Sequence, residues 1–357
     1  MSLSKRELQF SNPRVGRPPV IRAKFSSIKH PVGGFRAKAT GSRIVGSHGH
    51  LEVLSPRTEG LTEAAWGMLL NRIKAGKCTV FVGAGANDGI LPVGTQIAED
   101  WAKKFNFPFV IRELPKVAQF VAVESGWRYL PHDDLITRFK DQIAGIHLDS
   151  KIKNSPLALL AQLPVTCYMT TNYDGFMYRA LELAGKKPKR HICKWYKDDN
   201  DQLKKEGEAQ PKIQCDIVAT NNSPVVFHLH GHESNPKSMV LTEDDYYDFL
   251  ISWVRNQDMI PPLLQKALAR TSLLFVGYRM ADMSFRVLFR SVFRAMDTND
   301  RVANVAVQLP PEDAPEGARK YLSKYFREDK IEVFWGHARN FIEEFRPRLE
   351  RSGVVLK

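Results

Sequence analysis

The chain has 357 residues, 43% of them apolar, 10% aromatic and 25% charged, a composition that buries a sizeable core and excludes disorder over most of its length. Its 52 Lys and Arg outnumber 39 Asp and Glu, giving a net charge of +13, which favours polyanionic partners such as nucleic acid or nucleotide phosphates without naming one. No run approaches the ~20 apolar residues of a membrane-spanning helix, and the opening MSLSKRELQF lacks the apolar centre of a secretory signal, so no membrane association and a cytoplasmic location are expected.

Residues 1–60 read as an extended arm rich in Gly, Pro, Ser and Arg. Eleven Lys and Arg against three acids place +8 of the +13 there. Gly16-Arg17-Pro18 resembles the core of arms that enter a narrow A·T minor groove, so direct nucleic-acid binding through the arm is one reading. A solvated tail and a strap onto a partner subunit are others, with a transit peptide a further one. The strap is favoured because Val20, Ile21, Phe25, Ile28, Phe35, Ile44 and Val45 interrupt the charges.

From residue 61 the pattern changes to that of a folded domain, 61–357. A helical spacing over 61–76 precedes the apolar, β-rich CTVFVG at 78–83. Further strands are predicted at 165–170, 223–230, 238–242, 272–277, 301–309 and 330–335. Helices are predicted at 94–105, 114–125, 132–144, 174–184, 243–256, 281–296, 312–327 and 337–350. The alternation implies an α/β fold: a doubly wound, mainly parallel sheet of Rossmann type with helices on both faces. The polar stretch 185–222 reads as a surface insertion, with the basic cluster 186–190 solvated. Cys78, Cys167, Cys193 and Cys215 form no CxxC pair and read as reduced thiols. Trp101, Trp127, Trp253 and Trp335 read as core or interface aromatics.

A doubly wound sheet binds its ligand at the carboxyl ends of its strands, so the residues after each strand carry the functional reading. The first strand runs into Gly83-Ala84-Gly85-Ala86-Asn87-Asp88-Gly89, whose glycines permit close approach to a phosphate, or simply close packing. The second ends in Thr170-Thr171-Asn172-Tyr173-Asp174, where Asp174 is also placed to cap the next helix. The third ends in His228-Leu229-His230-Gly231-His232, and a later one ends in Gly277-Tyr278 and reaches Asp282. Thr242, before an acidic first turn, reads as a helix cap in LTEDDYY, with no chemistry assigned.

The order GAGA(N), TTNYD, LHG and GY…D resembles the sirtuin-like domain, specifically the bacterial sirtuin-like NAD hydrolases of antiphage defence, over roughly 75–350. The resemblance implies NAD as substrate, lying across the strand ends. Gly83, Ala84, Gly85, Ala86 and Asn87 would lie near the pyrophosphate, Asn172, Asp174 and His230 near the nicotinamide ribose with Thr171 beside them, and Gly277, Tyr278 and Asp282 towards the adenosine half. Asn87 stands where the family usually has Ser, and the following Gly-Ile-Leu-Pro is about one residue out of step. Between His230 and Gly277 there is no cysteine, so the four-Cys zinc module of the deacylases is missing and no metal is expected.

The expected activity is cleavage of NAD to nicotinamide and an ADP-ribose product. Breaking the C1′–nicotinamide bond gives an oxocarbenium-like state with a neutral leaving group, so Asn172 would orient water or a ribose hydroxyl, Asp174 bind the carboxamide or offset positive charge, and His230 accept a proton. His228 and His232 are second choices, sharing the face of His230 only if the strand stays regular to its end. The alternatives are an NAD- or ADP-ribose-sensing subunit without turnover, or a nucleic-acid-binding partner of an ATPase. By resemblance, the protein is expected to be a homo-oligomer, activated in antiphage defence within a larger assembly containing a HerA-type ATPase or a nucleic-acid-sensing partner.

Overall fold

The computed structural model describes residues 60–87, 89–196, 219–255, 259–278, 304–309 and 316–356. The arm, most of the polar stretch after 196, the helix expected at 281–296, Asp282 and Cys215 lie outside the described residues. Contacts divide the chain between Val53 and Leu54.

Among the described residues seven strands form one sheet in the order β3-β4-β2-β1-β5-β6-β7, with every pairing parallel. They are β1 (Cys78–Val82), β2 (Cys167–Thr170), β3 (Lys189–Ile192), β4 (Val225–His228), β5 (Ser272–Val276), β6 (Asn304–Gln308) and β7 (Ile331–Trp335). β1 lies at the centre and is buried at every position, as expected of a parallel strand covered on both faces. From β1 the chain moves to β2 beside it, then to the edge strand β3, and returns to insert β4 between them, before passing back over β1 to lay down β5, β6 and β7 on the other side. The order therefore reverses between β1 and β5, and the crevice of a doubly wound sheet opens above that pair.

Alternation along the strands sorts the core into two layers. Val80, Val82, Tyr168, Val226, Leu274 and Val276 point to one, and Phe81, Met169, Phe227, Leu273 and Phe275 to the other. The first layer is covered by α1 (Glu63–Lys74), α2 (Gly94–Lys104), α3 (Leu114–Ser125), α4 (Leu130–Ile143), α5 (Leu148–Lys153), α6 (Pro156–Gln162), α7 (Phe176–Leu183) and, after β7, a C-terminal helix at Ala338–Ser352. The second is covered by α8 (Glu243–Arg255), α9 (Pro262–Arg270) and α10 (Glu316–Glu328), which makes the C-terminal helix α11. Local chemistry sets the helix ends: Thr62 accepts the Ala65 amide at the start of α1, Ser155 caps α6 ahead of Pro156, and Gly353, at φ +69°, ends α11. α1 and α11 are joined by Trp66, stacked on Phe341 and Phe345 with Arg348 over its ring.

Three expectations are corrected. The apolar run at 238–242 is no strand: a 3₁₀ turn (Pro236–Ser238) leads into an extended segment, Met239–Leu241, that is fully buried yet joins no ladder. β3 falls inside the stretch read as an insertion; as an edge strand it needs one neighbour only, and Lys189 and Arg190 give it an exposed, charged start. The basic cluster is not simply solvated either, since buried Lys186 donates to the Leu163 carbonyl at 2.7 Å and Arg190 lies over the Tyr178 ring. α5, α6 and α9 are short helices that the periodicity did not mark. Of the tryptophans, Trp101 and Trp335 are buried, Trp253 packs on Phe249, and Trp127 is exposed. Cys78, Cys167 and Cys193 are buried free thiols. Among the described residues no helix is long and apolar enough to cross a membrane.

Candidate active site

At the switch point the chain leaves β1 and turns at once into Gly83–Asn87. The Gly83 amide donates to the Val276 carbonyl at 2.9 Å, the Gly85 amide to the Gly277 carbonyl at 3.0 Å, and the Ala86 amide to the Gly83 carbonyl at 3.0 Å. Those three amides are committed to the fold. A Cβ on Gly83 would stand 2.6 Å from the Gly277 oxygen, and one on Gly277, whose φ is +80°, would stand 2.2 Å from the Ala86 nitrogen. The two strand ends thus interlock backbone against backbone, which only glycine permits. Tyr278 reinforces the junction: its hydroxyl donates to the Val82 carbonyl at 3.1 Å and lies 3.4 Å from the Thr171 hydroxyl.

Asn87 closes this loop and reaches the next one. Its Nδ2 donates to Asp174 Oδ2 at 2.9 Å, while its Oδ1 is buried with no hydrogen-bond partner among the described residues. Asp174 accepts the Phe176 amide on its other oxygen at 2.9 Å, so it both starts α7 and faces the glycine loop. Burial pushes its carboxyl pKa above the usual value, against the hydrogen bonds from Phe176 and Asn87. The TTNYD turn is pinned at each position. The Asn172 amide donates to Thr170 Oγ1 at 2.9 Å, the Asn172 carbonyl accepts from His228 Nδ1 at 3.2 Å, and the Tyr173 hydroxyl donates to the Val240 carbonyl at 2.6 Å.

The three histidines separate. β4 ends at His228, and His230 lies in the turn beyond it, so the strand does not stay regular and the alternation fails. The His230 ring packs perpendicular to Tyr246 and Phe249 of α8, with centroids 5.3 and 5.4 Å away. His228 and His232 instead face each other, perpendicular at 4.7 Å. Since His228 Nδ1 meets a carbonyl, its proton sits there. His232 Nδ1 accepts the Ser234 amide at 3.0 Å, so its proton sits on Nε2. Burial drives the pKa of His230 down to about 3 and that of His228 to about 3, the latter helped by His232; His232, likewise through burial, falls to about 4. All three are neutral at pH 7.

The structure thus ties Asn87 to Asp174, Thr171 to Tyr278, and both glycine-bearing turns to one another. His230 joins the TTNYD turn through Val240, whose amide donates to the His230 carbonyl at 3.0 Å and whose carbonyl takes the Tyr173 hydroxyl. Sequence reading missed the Asn87–Asp174 bond, the part of Tyr173, and Arg190, which comes within 3.1 Å of where a Gly175 Cβ would stand. Only the similarity of spacing to the family marked Asn87, and no local pattern marks a tyrosine that bonds a backbone 67 residues away. Among the described residues no group of three His, Cys, Asp or Glu side chains is placed to hold a metal.

A parallel, doubly wound sheet with these polar turns on its carboxyl edge defines a Rossmann-type nucleotide fold. Within that class, residues 166–333 match the family model of the SIR2-like domain, so the resemblance carried by the motifs holds; the first glycine loop lies ahead of the matched span. Curated relatives include the NAD(+) hydrolases ThsA of Bacillus cereus (strain MSX-D12), 29% identical over 144 residues, and of Acinetobacter baumannii (strain 532279), 26% identical over 143. A third, the NAD(+) hydrolase ThsA of Enterococcus faecium, is 24% identical over 240 residues. The matches take in 40%, 40% and 64% of this chain but 25%, 25% and 42% of those proteins, so the chain spans a quarter to well under a half of the relatives' length.

Proposed function

We propose that this chain cleaves NAD to nicotinamide and an ADP-ribose product. The observation that carries the reading is the convergence, on one sheet edge beside the β1–β5 crevice, of neutral His230, the Asn172 turn and the buried Asn87–Asp174 pair. The names of the similar NAD(+) hydrolases support it. Departure of nicotinamide leaves positive charge on the ribose; in this reading Asp174 offsets that charge or binds the carboxamide of the departing nicotinamide. Asn172 positions the attacking water or a ribose hydroxyl, and His230 takes the proton released. Because burial keeps His230 neutral, the acceptor form persists well below pH 6. Chromatography of NAD incubated with pure protein, alone and with candidate activators, is expected to show nicotinamide released with an ADP-ribose product; tight NAD binding with no nicotinamide under any condition would replace hydrolysis by sensing.

The proposal extends to a homo-oligomeric, cytoplasmic effector of antiphage defence, activated within an assembly that includes a HerA-type ATPase or a nucleic-acid sensor, with residues 1–60 strapping the assembly together. Light scattering of intact and arm-deleted protein, paired with DNA binding at two salt concentrations, tests the strap. Loss of assembled mass on deletion supports it. Unchanged mass with loss of steeply salt-dependent DNA binding would assign the arm to phosphate contacts instead.

A further inference from the structure

We propose that Asp245, in the LTEDDY stretch, is a positioning residue for His230; this rests on the reading of His230 as the proton acceptor. Asp245 is buried, and its carboxylate gathers donors from three elements. Oδ2 accepts the Leu241 and Thr242 amides at 3.2 and 2.9 Å and stands 3.0 Å from His132 Nε2 of α4, while Oδ1 takes Arg128 at 3.2 Å. The Asp245 amide donates in return to Thr242 Oγ1 at 3.2 Å, so the pair forms a reciprocal box at the start of α8. A cap alone requires no histidine and no arginine. Here a negative charge at a helix N-terminus is tied to two further groups from outside its own helix, which fixes where α8 begins relative to α4.

What that fixed start carries is His230. Two residues before the box, the Val240 amide holds the His230 carbonyl; one residue after Asp245, Tyr246 abuts the His230 ring, and Phe249 abuts it one turn later. Behind the turn, Gly231 adopts φ +85° so that Ser238 can pass, its oxygen 2.0 Å from where a Cβ would be. His230 is thus clamped at its backbone and on its ring by one segment, 240–249, whose placement Asp245 sets. The Tyr173 hydroxyl on the Val240 carbonyl ties the same segment to the Asn172 turn. The box therefore holds the distance between the two halves of the site.

The test compares Asp245→Asn with Asp248→Asn, an exposed neighbour that shares Arg128 but not the box. Wild-type NAD cleavage is measured first; its absence would sink the hydrolase reading and leave the His230 signals below as the readout of the positioning itself. Asp245→Asn is expected to lower kcat at least tenfold with KM changed less than threefold, while Asp248→Asn stays at wild-type values. In protein without NAD, the imidazole signals assigned to His230 by their loss in His230→Gln are expected to shift in Asp245→Asn. If Asp245→Asn does not fold, Tyr173→Phe, which removes one hydroxyl from the Val240 carbonyl, is read in the same two ways with a smaller kcat loss. Unmoved His230 signals, or a loss confined to KM, would overturn the proposal.

Discussion

Two neighbouring parts of the sheet's carboxyl edge are held by different means. At the β1–β5 junction, backbone meets backbone: Gly83 and Gly277 leave no room for a methyl group, and the hydrogen bonds that bind them are main-chain. At the β2–β4 side, turns are held by side chains, with His228, Tyr173, Asn87 and Asp174 each bonding a different segment. The difference teaches where function can be altered apart from folding. A latch without side chains can only be kept or broken, whereas a turn tied by side chains can lose one bond and remain folded.

The sharpest separation comes from glycine replacements. Gly277→Ala combines a φ of +80° with a Cβ 2.2 Å from the Ala86 nitrogen, and is expected to cost about 3 kcal/mol or more, enough to unfold a marginal protein. Gly89→Ala has nearly the same φ, +79°, but open space around it, and is expected to cost only about 1 kcal/mol. Denaturant titration of the two measures the packing part of the latch directly; equal costs would show that the close approach contributes nothing.

On the other side the expected order inverts, with activity lost and fold retained. His230→Ala and Asn172→Ala are each expected to lower NAD turnover by at least ~10², the scale of a lost proton acceptor or positioning group, with far-UV circular dichroism unchanged. His228→Ala, which removes the bond to the Asn172 carbonyl rather than a reacting group, is expected to cost closer to ~10-fold. A normal His230→Ala and an inactive His228→Ala would exchange the two roles.

Acid should act on the histidine side alone. The folded-state pKa values of His228 and His230, about 3, and His232, about 4, lie below the unfolded value of 6.5, so between those limits the unfolded chain binds protons that the folded chain refuses. Stability is therefore fully present above pH 6.5 and declines as pH falls, by roughly 1 kcal/mol per histidine per pH unit at most. The raised carboxyl of Asp174 works with the opposite sign, from its raised value down to the ordinary carboxylate range, and Asp245, held near 2 because the His132 and Thr242 bonds outweigh its burial, adds its own loss only below about pH 4. Urea titrations at pH 7 and pH 5.5 are expected to show this loss, and His232→Gln to reduce it; a stability that rises on acidification would contradict the neutral state of the three rings.

Much of this arrangement was legible in the sequence, and the parts that were not share a cause. β1, β2, β4 and β5 announce themselves because a strand buried on both faces must be mostly apolar, and the polar residues that follow them mark the ligand edge. β3 is hidden because its Lys189 and Arg190 face solvent at the sheet's margin, and Met239–Leu241 imitates a strand because burial, not pairing, selects its residues. Asn172, Asp174 and His230 were readable as residues following strands. Their supports were not: Tyr173 reaches Val240, Asn87 reaches Asp174, and His132 reaches Asp245 across 67, 87 and 113 positions, distances at which no local pattern operates.

The smallest expected effect lies where the two sides touch. Tyr278 follows the latch glycine, and its hydroxyl bonds the Val82 carbonyl and lies beside Thr171 of the TTNYD turn. Burial holds that phenol well above its usual pKa, so it acts as a neutral donor at every working pH. Tyr278→Phe keeps the ring that packs on Phe275 and removes only the hydroxyl, for an expected loss of about 1 kcal/mol, because the Val82 carbonyl is left without this donor. Thr171→Val removes the other end of the 3.4 Å contact. If the latch and the turn are independent, the two losses add. If the hydroxyl couples them, the double variant loses less than the sum by about 0.5 kcal/mol, and NAD turnover falls in Tyr278→Phe although no group assigned to proton transfer has been touched. Strict additivity together with unchanged turnover would leave the sheet edge as two separate devices, one for folding and one for chemistry.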